Sequence, residues 1–421
     1  MSNDKDIYIQ VDKNGRLVVP PEVASRYGLA PGDRLPLAEG AAELKLLRPS
    51  RLSKLYIEPT NQCNLDCRTC MRNVWEEPLG MMSDAVFDGI VAGLKEFSPL
   101  PTVFFGGFGE PLFHPRIVEM VRRVKELGCR VELITNGTML TPELSKELVQ
   151  AGIDLLWVSL DGATPDSYED VRLGAELPNV IDNIAGFRDA IRRDAGVLKS
   201  PIGLLTFFST ELGIVFVAMK RNIADLPAVL DLGMRFDAKR FMVTNVLPYT
   251  KEMSGQMLYH YMRQPSGNLP RLSLPRIESG RIPAEIIADA MRRTDVSWGG
   301  IDPEAARDRC PFIENGVGAI AWDGNLSPCL PLMHTHTSYL VDYERHSKRY
   351  VVGNIMEKSL CDLWFDPEHI AFRQRVQSFD FSPCTYCGGC ELSVDNEEDC
   401  AGNCFPTCGG CLWAQGLIQC P

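Results

Sequence analysis

Between residues 51 and 250, short apolar runs alternate with amphipathic stretches. The runs are "KLYIEPT", "TVFFGG", "RVELITN", "LLWVSLD", "GIVFVAM" and "RFMVTNVLP", and the stretches between them include "HPRIVEMVRRVKELG" and "TPELSKELVQAG". A nearly continuous apolar run of this length predicts a strand buried on both faces, and the amphipathic stretches predict helices. Strands alternating with helices predict an α/β domain in which helices cover a parallel sheet. Six such strands suit a partial (β/α)6 TIM-like barrel better than a full eightfold one. In barrels of this kind chemistry sits at the C-terminal ends of the strands.

The flanks read differently. Residues 1–50 contain "IYIQVDKNGRLVVPPEVASRYGLAPGDRLPL", which predicts a strand, an Asn-Gly turn, a second strand, and a short helix opened by Pro20-Pro21 that ends near Gly28. "AELKLLRP" adds a last strand, so this is a separate small β module. Residues 251–309 are rich in Pro, Arg and Met and predict an irregular linker or substrate-facing insertion. Residues 310–421 form a loop-rich, cysteine-rich domain with an internal echo, "TYCGGC" and later "PTCGGC".

Composition narrows the classes. A chain of 421 residues with 45% hydrophobic and 23% charged residues has the make-up of a globular protein with a real core. No apolar run spans a membrane, and the first residues lack the layout of a signal peptide, so a cytoplasmic location is expected. The net charge of −12 weighs against broad nucleic-acid binding. Fifteen cysteines, eleven of them at or after Cys310, demand a use. Thiols in the cytoplasm stay reduced, so metal binding is a better expectation than disulfides.

The sharpest signal is "CNLDCRTC", directly after the first strand. It places Cys63, Cys67 and Cys70 in a C-x3-C-x2-C run. A zinc knuckle would want a fourth ligand nearby, and His114 and Cys129 are the next candidates. A [4Fe–4S] cube held by three thiolates keeps one iron open. The run resembles that of the radical S-adenosylmethionine (SAM) enzymes, with Thr69 where that family commonly has an aromatic residue. The resemblance implies that Cys63, Cys67 and Cys70 ligate a cluster whose open iron chelates SAM. "FFGGFGEP" looks like the family's glycine motif, so Gly106, Gly107 and Glu110 are expected near SAM's amino group. Asn136 in "ITNGTML", Ser159 and Asp161 in "VSLDG", and Asn222 after the fifth strand are expected SAM contacts by the same resemblance. Reductive cleavage of SAM would yield a 5′-deoxyadenosyl radical, and no general base is needed for that step.

Cys310-x13-Gly324-x4-Cys329 resembles the SPASM extension of these enzymes, which carries two further [4Fe–4S] clusters. Ten tail cysteines are candidate ligands: Cys310, Cys329, Cys384, Cys387, Cys390, Cys400, Cys404, Cys408, Cys411 and Cys420. Their spacing departs from the usual pattern, with Ser393 at one ligand position, and zinc at one tail site stays open. Cys361, inside "KSLCDLWF", is expected to be a buried apolar cysteine. Residues 1–50 resemble the AbrB-type swapped hairpin, which implies a homodimer. Seven Lys and Arg there are matched by seven Asp and Glu, so DNA binding is not expected.

Taken whole, the chain resembles radical SAM maturases of tungsten-containing aldehyde oxidoreductases. The resemblance implies a protein or peptide substrate, such as the tungsten oxidoreductase or its pterin cofactor, and an electron donor such as ferredoxin or flavodoxin. A SPASM enzyme that forms peptide crosslinks or thioethers, and a non-enzymatic iron–sulfur DNA-binding redox sensor, are the alternatives. A sensor has no use for an open iron.

Overall fold

The computed structural model describes residues 9–21, 23–24, 37–39, 44–46, 51–200, 203–260, 276–277, 296–298, 309–340, 343–385 and 390–421. Six strands follow one another across one sheet, each parallel to the last. They are β1 (Lys54–Ile57), β2 (Thr102–Phe105), β3 (Val131–Thr135), β4 (Leu155–Ser159), β5 (Glu211–Ala218) and β6 (Arg240–Asn245). These are the six runs expected from the apolar pattern. β7 (Val296–Trp298) adds a parallel strand beyond β6, inside the stretch expected to be irregular. On the other side, β8 (Val317–Ile320) runs parallel to β1, and β9 (Asn325–Ser327) and β10 (Gly353–Asn354) follow antiparallel.

The covering helices are α1 (Asp84–Leu94), α2 (Ile117–Glu126), α3 (Pro142–Gln150), α4 (Leu177–Asp194) and α5 (Leu226–Arg235). Their starts are written locally. The Ser83 hydroxyl accepts from the Val86 N–H to cap α1, and Thr141 caps α3 ahead of a proline at its first position. α2 and α3 stop where Gly128 (φ 92°) and Gly152 (φ 86°) take the left-handed conformation.

The two faces of the sheet differ. Phe105 meets Phe87 of α1 with ring centroids 6.4 Å apart, so it belongs to the helix-covered face. Phe241 lies under Gly233 of α5 on that same face, as core. Lys54, Tyr56, Phe104 and Glu132 occupy the alternate positions and share the other, concave face. There Tyr56 and Phe104 are register partners with centroids 4.7 Å apart, and Lys54 Nζ lies 3.0 Å from Glu132 Oε2.

The last residues show how strongly this sheet curls. Gln419 donates its Nε2 to the Val243 carbonyl (2.8 Å) and its main-chain N–H to Thr244 Oγ1 (3.1 Å), both on β6. Two residues on, the Pro421 carbonyl accepts from the Tyr56 hydroxyl on β1. In a flat sheet, β1 and β6 would stand roughly 24 Å apart, at about 4.8 Å per strand. Two residues of chain reach only roughly 7 Å. The sheet must curl for both anchors to hold, which is the partial barrel. Residues Leu52–Pro421 form one compact unit, so the cysteine-rich segment packs with the barrel.

Residues Met1–Arg51 form a second unit. Its described parts are an antiparallel pair, Gln10–Val11 with Leu17–Val18, turning at Asn14-Gly15, and a second pair, Leu37–Glu39 with Leu44–Leu46. The rest of the expected AbrB-like module, including the end of its helix near Gly28, lies outside the described residues. Most of 261–308 also lies outside them. The described part before it is a helix, Lys251–Gln256, and a strand, Tyr259–His260, which pairs with Arg276–Ile277.

Ile184 on α4 has no exposed surface. Ile184→Ala should therefore lower the unfolding free energy by about 2–5 kcal/mol. The expected reading is a lower urea midpoint at unchanged slope.

Candidate active site

β1 ends in Glu58-Pro59-Thr60-Asn61, and the loop that follows is pinned at both ends. The Thr60 hydroxyl donates to the Gly80 carbonyl (2.6 Å); the Asn61 side chain donates to the Pro78 carbonyl (2.9 Å) and accepts from the Gly80 N–H (2.8 Å). Within the loop, Asn73 Nδ2 and the Cys70 N–H both donate to the Cys67 carbonyl. Asp66 and Arg68 bond through their main-chain N–H groups to the Leu173 and Val171 carbonyls. The result is one tight turn carrying Cys63, Cys67 and Cys70, with unpaired thiols.

A buried arginine backs this turn. Arg172 donates through Nε to Asp161 Oδ2 (2.8 Å), and its Nη2 lies 2.7 Å from the same oxygen. Burial pushes the Cys67 thiol up to about 11, and the Arg172 charge opposes that rise. A cation beside a buried thiol favours the thiolate, the form that binds iron. Three thiols on one turn at a strand end, with a built-in countercharge, fit the three-ligand cluster that the resemblance implied.

The glycine loop after β2 presses on the same turn. A Cβ at Gly109 would lie 2.1 Å from the Thr60 carbonyl oxygen and 2.6 Å from that of Gln62, so only glycine fits. The Glu110 N–H donates to the Gln62 carbonyl at 2.8 Å. Gly106 packs against Phe104 and Ile134, and Gly107 against Glu58, whose Oε1 accepts from the Phe108 N–H (2.9 Å).

The other residues expected near SAM divide into two groups. Asn136 comes to the cluster turn, its Nδ2 3.7 Å from Cys63 Sγ and 3.1 Å from Asn64 Oδ1, and Ser159 closes β4 nearly buried. Glu110, Asp161 and Asn222 are engaged by the protein itself. Glu110 accepts from the Leu112 N–H, the Thr135 hydroxyl and the Asn136 N–H, and so ties the end of β2 to the end of β3. Asp161 accepts from Arg172 and from the Val217 N–H (2.8 Å). Asn222 donates to the Asp161 and Val217 carbonyls and so ties β4 to β5.

A second charged group was not expected from the sequence. His334 is buried between Glu58 (Nε2 to Oε2, 2.8 Å) and Glu77 on its Nδ1 side, with the Trp75 ring 4.5 Å away. Burial would lower the His334 pKa, but the two carboxylates outweigh it and raise it to about 9. The imidazolium joins the end of β1, the cluster loop and the cysteine-rich segment.

In that segment, Cys310, Cys329, Cys408 and Cys411 line one cavity. Among the described residues no three His, Cys, Asp or Glu side chains converge on a single ion. Four thiols around a volume suit a polynuclear cluster. Cys384 forms a second group with Cys390 and Cys400, whose charges reach it; Cys387 lies outside the described residues. Buried Arg345, in the space left by Gly410, opposes the rise that burial imposes on Cys384, Cys408 and Cys411. Cys404 is exposed, Cys361 is half-buried on a short helix, and Cys420 Sγ accepts from Trp413 Nε1 at 3.1 Å.

Residues 57–206 match the Radical SAM superfamily, and residues 310–391 match SPASM, an iron–sulfur cluster-binding domain. The chain is 32% identical over 370 residues to the "Tungsten-containing aldehyde ferredoxin oxidoreductase cofactor-modifying protein" of Pyrococcus furiosus, covering 87% of this chain and 96% of that one. It is 27% identical to the PqqA peptide cyclase of Bradyrhizobium diazoefficiens over 46% of this chain and 47% of the relative. In fold it is similar to Streptococcus suis SuiB bound to S-adenosylmethionine, with a TM-score of 0.55 at 17% identity, covering 82% of this chain and 72% of SuiB.

The His334 group sets a pH dependence. Its folded pKa of about 9 lies above the ordinary 6.5, so its contribution is complete below 6.5 and is lost as pH rises through about 9. The urea midpoint should fall across that window, and His334→Gln should flatten the fall. Equal slopes with pH in the two proteins would remove the imidazolium from the account.

Proposed function

Because the chain belongs to the radical SAM superfamily and carries its iron–sulfur cluster-binding SPASM domain, we propose that it cleaves SAM reductively to mature a partner's cofactor. The recipient is a tungsten-containing aldehyde oxidoreductase or its pterin. The observation that carries this reading is the three-thiol turn, backed by Arg172 and sealed by the glycine loop at the strand ends. When bound, the [4Fe–4S] cluster and SAM supply one-electron cleavage of the SAM C–S bond and a 5′-deoxyadenosyl radical.

The protein's part is to hold and to exclude. Cys63, Cys67 and Cys70 bind the cluster, and Arg172 favours the charged form of Cys67 and Cys70. Asn136 brings an amide beside the turn, and Gly106 and Gly107 let the loop after β2 pack closely on Phe104, Ile134 and Glu58. Cys310, Cys329, Cys408 and Cys411 hold one auxiliary cluster; Cys384, Cys387, Cys390 and Cys400 hold the other. Tyr56 and Phe104 give the concave face an apolar patch beside the Lys54–Glu132 pair, which helps to keep water from a reactive radical. Ferredoxin or flavodoxin serves as electron donor. Residues 1–50 pair two chains without binding DNA. The enzyme works in the cytoplasm, where its thiols stay reduced. The relative matched over nearly its whole length favours cofactor maturation over peptide crosslinking.

Changing Cys63, Cys67 and Cys70 together to Ala should remove about four irons per chain and abolish 5′-deoxyadenosine formation. Retained cleavage would sink the radical reading. Co-expression with the oxidoreductase should raise that enzyme's specific activity, and Cys63→Ala should not. Equal activity with and without the maturase would remove the recipient while leaving the radical chemistry.

A further inference from the structure

His334 brings together pieces of the chain that are far apart in sequence. Its Nε2 donates to Glu58 Oε2 at the end of β1 (2.8 Å), and its Nδ1 donates to Glu77, beyond the cluster turn. Glu77 also accepts from the Thr335 N–H (2.7 Å), so it grips the cysteine-rich segment at two successive residues. The last piece is the glycine loop after β2. The Phe108 ring meets the His334 ring edge-on, with centroids 5.7 Å apart. The Trp75 ring closes the group, 4.5 Å from His334 and 5.8 Å from Phe108.

Glu58 passes this placement on. It is fully buried, and its two oxygens hold different partners: Oε2 takes His334, and Oε1 takes the Phe108 N–H at 2.9 Å. Its own N–H is fixed to the Ile320 carbonyl at the end of β8 (2.9 Å). Gly107 lies so close that a Cβ there would stand 2.6 Å from Oε1. Any turn of this carboxylate therefore disturbs the loop that carries Gly106, Gly107 and Glu110. Without the Nε2 donor, Oε2 would be a buried acceptor left unmade, and the carboxylate would turn to find another partner.

A neutral imidazole donates from one ring nitrogen, and the charged ring donates from both. Holding Glu58 and Glu77 together therefore uses the extra proton. Burial would lower the His334 pKa, but these two carboxylates outweigh it and raise it to about 9. Beyond Glu77 lies Arg349, 3.8 Å from it and 3.6 Å from Asp323. Burial holds His336, two residues on, down to about 4, so that ring is neutral.

We propose that His334 is a positioning residue for SAM: acting through Glu58, it holds the glycine loop at Phe108 in the form that receives SAM's amino group. The proposal rests on the radical SAM reading and deepens it, because it makes SAM affinity a property that the cysteine-rich segment sets. His334 acts at one remove, with Glu58 and Phe108 between it and the glycines of the loop.

The test measures SAM binding, by equilibrium dialysis of labelled SAM against the full chain, reconstituted anaerobically and left unreduced. His334→Gln should keep the parent's iron content and weaken SAM binding about tenfold, the scale of one lost hydrogen bond. The parent's affinity should hold at lower pH and drop as pH rises through about 9, where the imidazolium is lost; His334→Gln should lack that drop. SAM's own amino group titrates alike in both proteins, so the comparison removes it. Glu77→Gln is the second variant. It keeps an acceptor for the Thr335 N–H but removes one of the charges that raise His334, so the drop should move to lower pH. A merely structural role would not move it. Should His334→Gln fail to fold or lose iron, that shift decides alone. Unchanged SAM affinity in His334→Gln, or a drop that stays in place in Glu77→Gln, overturns the proposal. The radical reading is tested separately, by 5′-deoxyadenosine release from the parent protein.

Discussion

The buried ion pair between Asp161 and Arg172 is the joint on which the site depends. Asp161 sits just past β4, takes the Val217 N–H from β5, and lends its own carbonyl to Asn222. Arg172 belongs to the turn whose Val171 and Leu173 carbonyls hold the cluster loop. One pair thus sets the spacing of two strand ends, places the loop and puts a positive charge behind Cys67. Removing one partner of such a pair costs roughly 3–5 kcal/mol, because the other is left charged in a dry interior. Here the loss would also reach the cluster turn. A structural pair and a chemical countercharge are the same two side chains.

A second set of joints makes the cysteine-rich segment part of the barrel. β8 extends the sheet beside β1, His334 reaches back to Glu58 and Glu77, and the last residues cross from β6 to β1. Each joint ends on or beside β1, the strand that leads into Cys63. The auxiliary cysteines therefore cannot move independently of the cluster turn. Rigid placement of this kind suits radical chemistry, where an intermediate must stay aimed and dry.

Local patterns were legible and distant pairings were not. The six apolar runs became β1 to β6 because strand burial is written residue by residue, and the three-cysteine run became one turn because its spacing is short. Asp161 and Asn222 were expected as cofactor contacts from the family resemblance; what the sequence did not reveal is that Asp161 also pairs with Arg172, 11 residues on, and with the Val217 N–H, 56 residues on, while Asn222 holds the Asp161 carbonyl. Glu58 and His334 meet across 276 residues, which no spacing rule could join. The grouping of the tail cysteines was left open by the sequence for the same reason. Cys408-x2-Cys411 shares a cavity with Cys310, which precedes β8, and Cys329, which follows β9. β7 was hidden because its three residues sit in a stretch rich in proline and arginine.

Charge gives the three cysteine groups a common logic. Each must hold thiolates in an interior that burial makes hostile to them, and the Cys310 thiol is pushed up to about 12. A net charge of −12 offers no general help. The help is local instead. Arg172 acts on Cys67 and Cys70, and Arg345 acts on Cys384, Cys408 and Cys411. Arg345 is itself fixed by a bond to the Ser393 carbonyl (2.6 Å), and Gly410 leaves it room. Metal binding to such thiols releases protons, so cluster loading is tied to folding around these two arginines. Arg345 acts on both groups of tail thiols at once, so one buried cation serves as a shared countercharge for thiols that lie far apart in sequence.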